Sequence, residues 1–139
     1  MVLKDLPEII KMEKELFTAP WSEYMFLEEI NNHYAYILVN KGNKEIIGYV
    51  CGLKLFDELS ITNLAVKKEF QRCGFGEKLI KSIIKKLLEE KCFKFFLEVR
   101  ESNQPAIKLY EKFGFEQIGI QVNYYNNPVE NAVMMKLNL

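Results

Sequence analysis

The chain reads as one α+β domain with elements in the order α-α-β-β-β-α-β-α-β-β. Several segments carry apolar residues at a 3.6-residue period, others are β-prone runs bounded by turn chemistry, and the two kinds do not alternate as strict βαβ units. At 139 residues, with 49% hydrophobic and 13% aromatic residues, the chain holds one substantial core. No repeat, low-complexity stretch or linker divides it, so residues 1–139 are expected to form a single domain.

Leu6, Ile9, Ile10, Met12, Leu16 and Phe17 recur at helical spacing, with Asp5 suited to a cap and Pro7 to a first turn. Thr18-Ala19-Pro20-Trp21 breaks that pattern, and Ser22 can cap a second helix over 23–31 that carries Phe26, Leu27 and Ile30 on one side. Residues 34–39 and 46–56 are β-prone and flank the turn residues Lys41-Gly42-Asn43-Lys44, which predicts a hairpin. Gly48 and Gly52 mark bulges or close backbone approaches in its second strand. Asp57 and Glu58 turn the chain into a third strand, 59–66. From Gly74 onward, Leu79, Ile80, Ile83, Ile84, Leu87 and Leu88 form a wide apolar stripe opposite Lys78, Lys81 and Lys85, which predicts a helix with a solvated lysine face. The near-continuous apolar run 93–99 reads as a strand buried on both faces. Pro105 to Phe113 reads as a helix stopped by Gly114, and 115–125 and 133–137 as closing strands around Asn126-Asn127-Pro128.

Charge and cysteine usage exclude several function classes. The 19 basic and 19 acidic residues cancel, so no global field draws the chain to nucleic acid or an acidic membrane, and a charged ligand must be recognised locally. Cys51, Cys73 and Cys92 are odd in number and far apart, and His33 is the single histidine; this argues against a disulfide framework and a zinc site and suits a reducing cytosol. No apolar stretch approaches membrane-spanning length and no signal pattern opens the chain, so a cytoplasmic protein is expected.

Gln71-Arg72-Cys73-Gly74-Phe75-Gly76 lies between the third strand and the lysine-faced helix. Its glycines let backbone amides approach a ligand, and the helix start adds unpaired N–H groups and a positive dipole end, a combination that holds phosphate. The same glycines also suit a tight turn. Cys73 has no accompanying base and reads as a small turn residue rather than a nucleophile. Glu98 is the one carboxylate in its strand: either it pairs with Arg100 on the same side, or it is a proton acceptor with a raised pKa. Tyr110 is a core tyrosine by helical period, Asn103 a turn or capping residue, Trp21 an anchor, and Tyr124-Tyr125 strand residues with a rim position open to them. His33 reads as a surface residue near a helix end.

Taken together, Ile61-Thr62-Asn63-Leu64-Ala65-Val66, the loop 71–76, Leu97-Glu98-Val99-Arg100-Glu101-Ser102-Asn103 and the run from Ala106 to Phe115 resemble the GNAT N-acetyltransferases over nearly the whole chain from residue 5. Ala19-Pro20-Trp21-Ser22-Glu23 and Asn123-Tyr124-Tyr125 bring it nearest the RimI type, which acetylates the N-terminal alanine of a ribosomal protein. The resemblance implies a mixed, mostly antiparallel sheet splayed between that fold's fourth and fifth strands and flanked by helices, with the first strand reduced to Met1 to Lys4 or missing. It implies acetyl-CoA as co-substrate and no metal. Leu64, Ala65 and Val66 would pair the pantetheine arm; Gln71, Arg72, Cys73, Gly74, Phe75, Gly76 and Glu77 would form the pyrophosphate loop, and Asn103 would add a polar contact. Glu98 would be the general base and Tyr110 the general acid. Trp21, Tyr124 and Tyr125 would meet the acceptor, a protein N-terminus such as that of ribosomal protein S18, without direct nucleic-acid or membrane contact.

Departures from that pattern fall where an acceptor would be read. Asn126 to Ala132 lacks the acidic, glycine-containing character of RimI-type chains, and Gln121-Val122 stand in place of basic residues. Rival readings are therefore an acetyltransferase of a polyamine or antibiotic, and a non-catalytic acyl-CoA-binding module in which Glu98 only pairs with Arg100.

Overall fold

In the computed structural model, which describes residues 1–32 and 34–139, the helices Leu6–Leu16 (α1) and Glu23–Asn31 (α2) precede any strand. His33 falls outside the described residues. Ser22 caps α2 as expected, its Oγ accepting from the Met25 N–H at 3.4 Å. Asp5 stands at the start of α1 but does not cap it: its carboxylate accepts from the Val2 N–H at 2.7 Å instead, closing a 3₁₀ turn over Leu3–Asp5. Residues 1–4 accordingly form no strand.

The strands are Ala35–Val39 (β1), Ile46–Leu55 (β2), Glu58–Val66 (β3), Lys94–Arg100 (β4), Glu116–Tyr125 (β5) and Glu130–Asn138 (β6), with helices Phe75–Glu89 (α3) and Gln104–Lys112 (α4) flanking β4 in sequence. They form one sheet in the order β1-β2-β3-β4-β6-β5, antiparallel throughout except for β3 with β4. With the N-terminal strand absent, β3 and β4 are the fourth and fifth strands of the expected fold. Gly48 is a close-approach point: a Cβ there would stand 2.6 Å from the Ala65 carbonyl oxygen. Gly52 lies at a register shift that leaves Thr62, on β3, without a partner on β2.

Each face of the sheet carries its own core. Leu6, Ile9 and Met12 of α1 and Phe26 of α2 pack on Tyr49, Cys51 and Ala65. On the other face α3 packs through Leu79, Ile80, Ile83 and Leu87 against Val50, Leu59, Ile61, Phe95 and Leu97, and Tyr110 and Phe115 extend this core toward Val133 and Met135. With layers on both sides, β2 is buried from Ile46 to Gly52. The lysines along α3 remain on its exposed side, as expected.

The reading of β4 as buried on both faces is corrected. Phe95, Leu97 and Val99 are buried, while Phe96, Glu98 and Arg100 alternate onto a more open face. The α1–α2 core draws no residue from β4, which leaves that side to a cleft. No helix among the described residues is long and apolar enough to cross a membrane.

Candidate active site

Pairing between β3 and β4 lasts only from Glu58 opposite Lys94 to Ile61 opposite Leu97. The unpaired Thr62 lies at the point where the strands part, as a bulge that bends and twists its strand would dictate. Beyond it the Lys67 N–H donates to the Ile47 carbonyl at 2.9 Å, so alternation along β3 directs Ala65 toward β2 and the backbone groups of Leu64 and Val66 toward the open edge. A ligand chain can therefore pair with Leu64 and Val66, whereas Ala65 is tied to β2.

At the end of this edge stands the glycine loop. Arg72 and Gly74 hold φ of 62° and 80°, both left-handed, and Lys78 N–H to Gly74 O at 3.2 Å is the first bond of α3. The N–H groups from Arg72 to Glu77 therefore take no protein acceptor among the described residues, and a Cβ on Gly74 would meet nothing within 4 Å. Free amides in a left-handed turn at a helix N-terminus, facing open space, fit a pyrophosphate. Gln71 acts differently from its neighbours: its side-chain amide donates to the Val66 carbonyl at 3.0 Å and ties the loop to β3. Gly76 is a packing residue as well, since a Cβ there would lie 3.3 Å from Leu109 of α4. The Glu77 carboxylate is neutralised by Lys112 at 2.7 Å and Lys81 at 2.8 Å, which hold its pKa down at about 2. Cys73 is exposed, with its thiol on the Gln71 carbonyl at 3.4 Å.

Two cavities meet in the splay. One, of about 550 Å³, runs past Val66, the loop and Pro105 of α4. The other, of about 320 Å³, is walled by the α1–α2 loop, Asn63, Glu98, Arg100 and the Tyr124–Asn126 segment. Phe17, Leu64, Asn103 and Tyr110 line both. Tyr110 belongs to the core on the α3–α4 face, and the parted strands let it reach a cleft that opens on the other face. Burial pushes its phenol up to about 12. Asn103 caps α4, accepting from the Ala106 N–H at 3.3 Å, while also lining both cavities.

Glu98 is exposed in the second cavity rather than buried, and it does not pair with Arg100. Arg100 is engaged by the β5–β6 turn instead: its guanidinium donates to the Asn126 and Pro128 carbonyls at 2.9 and 3.0 Å, reaches Glu130 at 3.4 Å and stacks 4.5 Å from the Tyr125 ring. Among the described residues Glu98 therefore has no ion-pair partner. Trp21 lines the same cavity with its ring 5.3 Å from Phe26, and Tyr124 and Tyr125, which meet edge to face at 4.9 Å, line it too. The positions expected to meet an acceptor thus lie together.

The sequence reading missed Glu13, which looks like one polar position of α1 yet is only 1% exposed. Its carboxylate accepts from the Trp21 N–H at 2.9 Å, from Asn63 Nδ2 at 3.3 Å and from the Tyr49 hydroxyl. Burial and the Glu13 charge push the Tyr49 phenol up. Asn63 also went unassigned, since a polar residue among β-formers carries no signal of what it faces.

Residues 6–115 match the model of the acetyltransferase (GNAT) family. The ribosomal protein bS18-alanine N-acetyltransferase of Haemophilus ducreyi is 38% identical, with 100% of this chain and 97% of that protein covered. The crystal structure of the ribosomal-protein-S18-alanine N-acetyltransferase from Escherichia coli superposes with a TM-score of 0.90 at 33% identity, covering 99% of this chain and 90% of that one. A chain of the NatC complex bound to Gag peptide and CoA gives 0.88 at 26% identity, covering 99% and 92%. The splayed strand edge and free-amide loop thus coincide with a match in both sequence and structure, and the chain belongs to the GNAT acetyltransferase family.

Proposed function

We propose that the protein transfers the acetyl group of acetyl-CoA to the N-terminal α-amine of a protein, that of ribosomal protein bS18 with its N-terminal alanine foremost, by direct attack in a ternary complex. The observation that carries this reading is the meeting of the two cavities at Tyr110, with free loop amides at the end of one and Glu98 in the other. The amides from Arg72 to Glu77 hold the pyrophosphate, and the open edge at Leu64 and Val66 pairs the pantetheine arm. This brings the thioester to the residues common to both cavities.

Glu98 takes the proton from the attacking amine, directly or through water. The C–N bond forms, the C–S bond breaks, and Tyr110 lends its O–H to the departing sulfur. An α-amine with pKa near 8 is already roughly a tenth neutral at pH 7, against well under a thousandth for a lysine side chain, so an exposed carboxylate is a sufficient base. With its phenol at about 12, Tyr110 serves chiefly as a hydrogen-bond donor to the developing thiolate. Full transfer to a thiolate whose conjugate thiol has a pKa near 8.5 is uphill by roughly 3–4 units, or about 5 kcal/mol.

Gly74→Val tests the cofactor half. Its φ of 80° strains any residue with a Cβ, and the added side chain would occupy the open space at the loop. The expected result is a melting temperature lowered by a destabilisation of about 1–2 kcal/mol, and calorimetric acetyl-CoA affinity reduced at least about tenfold as the loop loses its fit to phosphate.

The acceptor half is tested by mass-detected acetylation of a peptide panel. A bS18-like peptide with free N-terminal alanine should be turned over faster than unrelated N-terminal peptides and faster than polyamines. Equal or better turnover of small amines would reassign the acceptor, and acetyl-CoA binding with no acceptor in the panel would point to a binding module.

A further inference from the structure

The acceptor cavity contains a polar arrangement that the mechanism above does not use. The Glu13 carboxylate is buried at its edge, and every contact it makes is to a neutral donor: the Trp21 N–H, the Tyr49 hydroxyl and Asn63 Nδ2. Among the described residues it has no cationic partner within ion-pair distance. Both Glu13 oxygens already accept, from the Trp21 N–H and the Tyr49 hydroxyl, and it is the NH₂ of the Asn63 amide that faces them, at 3.3 Å from each. That fixes the other end. Asn63 Oδ1 takes no hydrogen bond among the described residues, is not sealed from solvent, and belongs to a residue lining the cavity. Asn63 and Glu98 lie on parted neighbouring strands and line the same cavity.

A cavity with a buried carboxylate, an oriented amide oxygen and the Glu98 carboxylate, whose one arginine is committed to the β5–β6 turn, favours a cation that carries N–H donors. We propose that Asn63, oriented by Glu13, is the residue that receives the acceptor's α-ammonium: its Oδ1 accepts an ammonium N–H, and the Glu13 charge behind it provides the counter-field. Asn63 would then be an acceptor-binding residue and Glu13 a positioning residue. Holding the amine as a cation gives the enzyme affinity for the free substrate; Glu98 takes one of its protons, the second leaves on the departing sulfur as the C–N bond forms, and the neutral acetylated product is let go. The inference rests on the α-amine reading of the acceptor site.

The test compares the free peptide with its N-acetylated product on the CoA-saturated protein at about pH 6.5, where the α-amine is charged. Wild type should prefer the free peptide by at least about tenfold, the size of one charge-assisted hydrogen bond. Asn63→Leu should reduce that preference to below about threefold, mainly by weakening the free peptide. Glu13→Gln, which no longer dictates the amide's orientation, should move it in the same direction. If both peptides weaken equally in either variant, that residue only shapes the cleft and the inference is overturned.

A measurement on the intact wild type covers the case of variants that do not fold. The Asn63 side-chain NH₂ resonances should shift on titration with the free peptide and stay in place with the acetylated one; the absence of that difference overturns the inference. If the free peptide binds and is acetylated while these readouts fail, the inference alone falls. If no free N-terminal peptide binds at all, the α-amine reading falls with it.

Discussion

Glu98→Gln should lower kcat/KM for an N-terminal peptide about 10²–10³-fold at pH 7, within the usual range for removing a general base. Acetyl-CoA affinity should stay unchanged, because Glu98 lines the acceptor cavity and not the one running past the loop. The melting temperature should not move either, since Glu98 is exposed and has no ion-pair partner among the described residues. The residual activity has its own pH signature. Without a base the variant depends on amine that is already neutral, a fraction rising from roughly a tenth at pH 7 to about nine-tenths at pH 9. Its rate should climb by nearly that ratio and its deficit against wild type should narrow. Steady-state kinetics at both pH values check this. A loss under about threefold, or one matched by weaker acetyl-CoA binding, would remove Glu98 from the base role assigned on acid–base grounds.

Tyr110→Phe should reduce kcat by about 10²-fold or more while leaving KM for both substrates close to wild type, as expected of an interaction made only in the transition state. The ring is retained, with its edge contact to Phe115 at 5.8 Å, so folding should survive. The pH dependence separates this role from that of an ordinary tyrosine. Burial raises the phenol from 10 to about 12, so the O–H donor persists across the range in which an unshifted tyrosine would lose half its protons. Wild-type kcat should therefore show no tyrosine limb up to pH 10, with loss appearing only as the pH approaches 12. An alkaline fall centred near 10 that disappears in Tyr110→Phe would contradict the buried environment, and an unchanged kcat would contradict the role.

Much of the fold was legible because its local signals agreed. The wide apolar stripe of α3, the Ser22 cap and the Gly114 stop with φ of 89° each point to the element that forms. The form of the glycine loop was legible for the same reason: it is backbone geometry, and glycine at Gly74, with φ of 80°, records that geometry in the sequence. Glu98 was found as a chemical outlier but misread as buried. Composition cannot tell a strand covered on both faces from one that borders an empty cleft, and Phe96 beside Glu98 hid the alternation. The partner proposed for Glu98 failed as well, because Arg100 two residues away lies closer to the β5–β6 turn than to its strand neighbour. Glu13 carried no signal, since a glutamate in an amphipathic helix looks solvated until the cleft wall closes over it.

By itself the sequence determined the element order, the amide loop and the residue types able to move a proton, all of which follow from interactions within a few residues along the chain. Only the tertiary structure decided that β3 and β4 part after Ile61, that Tyr110 reaches through the gap to the side on which Glu98 is exposed, and that Glu13 is buried against Asn63 at the edge of the second cavity. Those outcomes depend on contacts between residues tens of positions apart, where the cost of burying or exposing a polar group is set by what packs over it. Nothing in the local spacing encodes that packing.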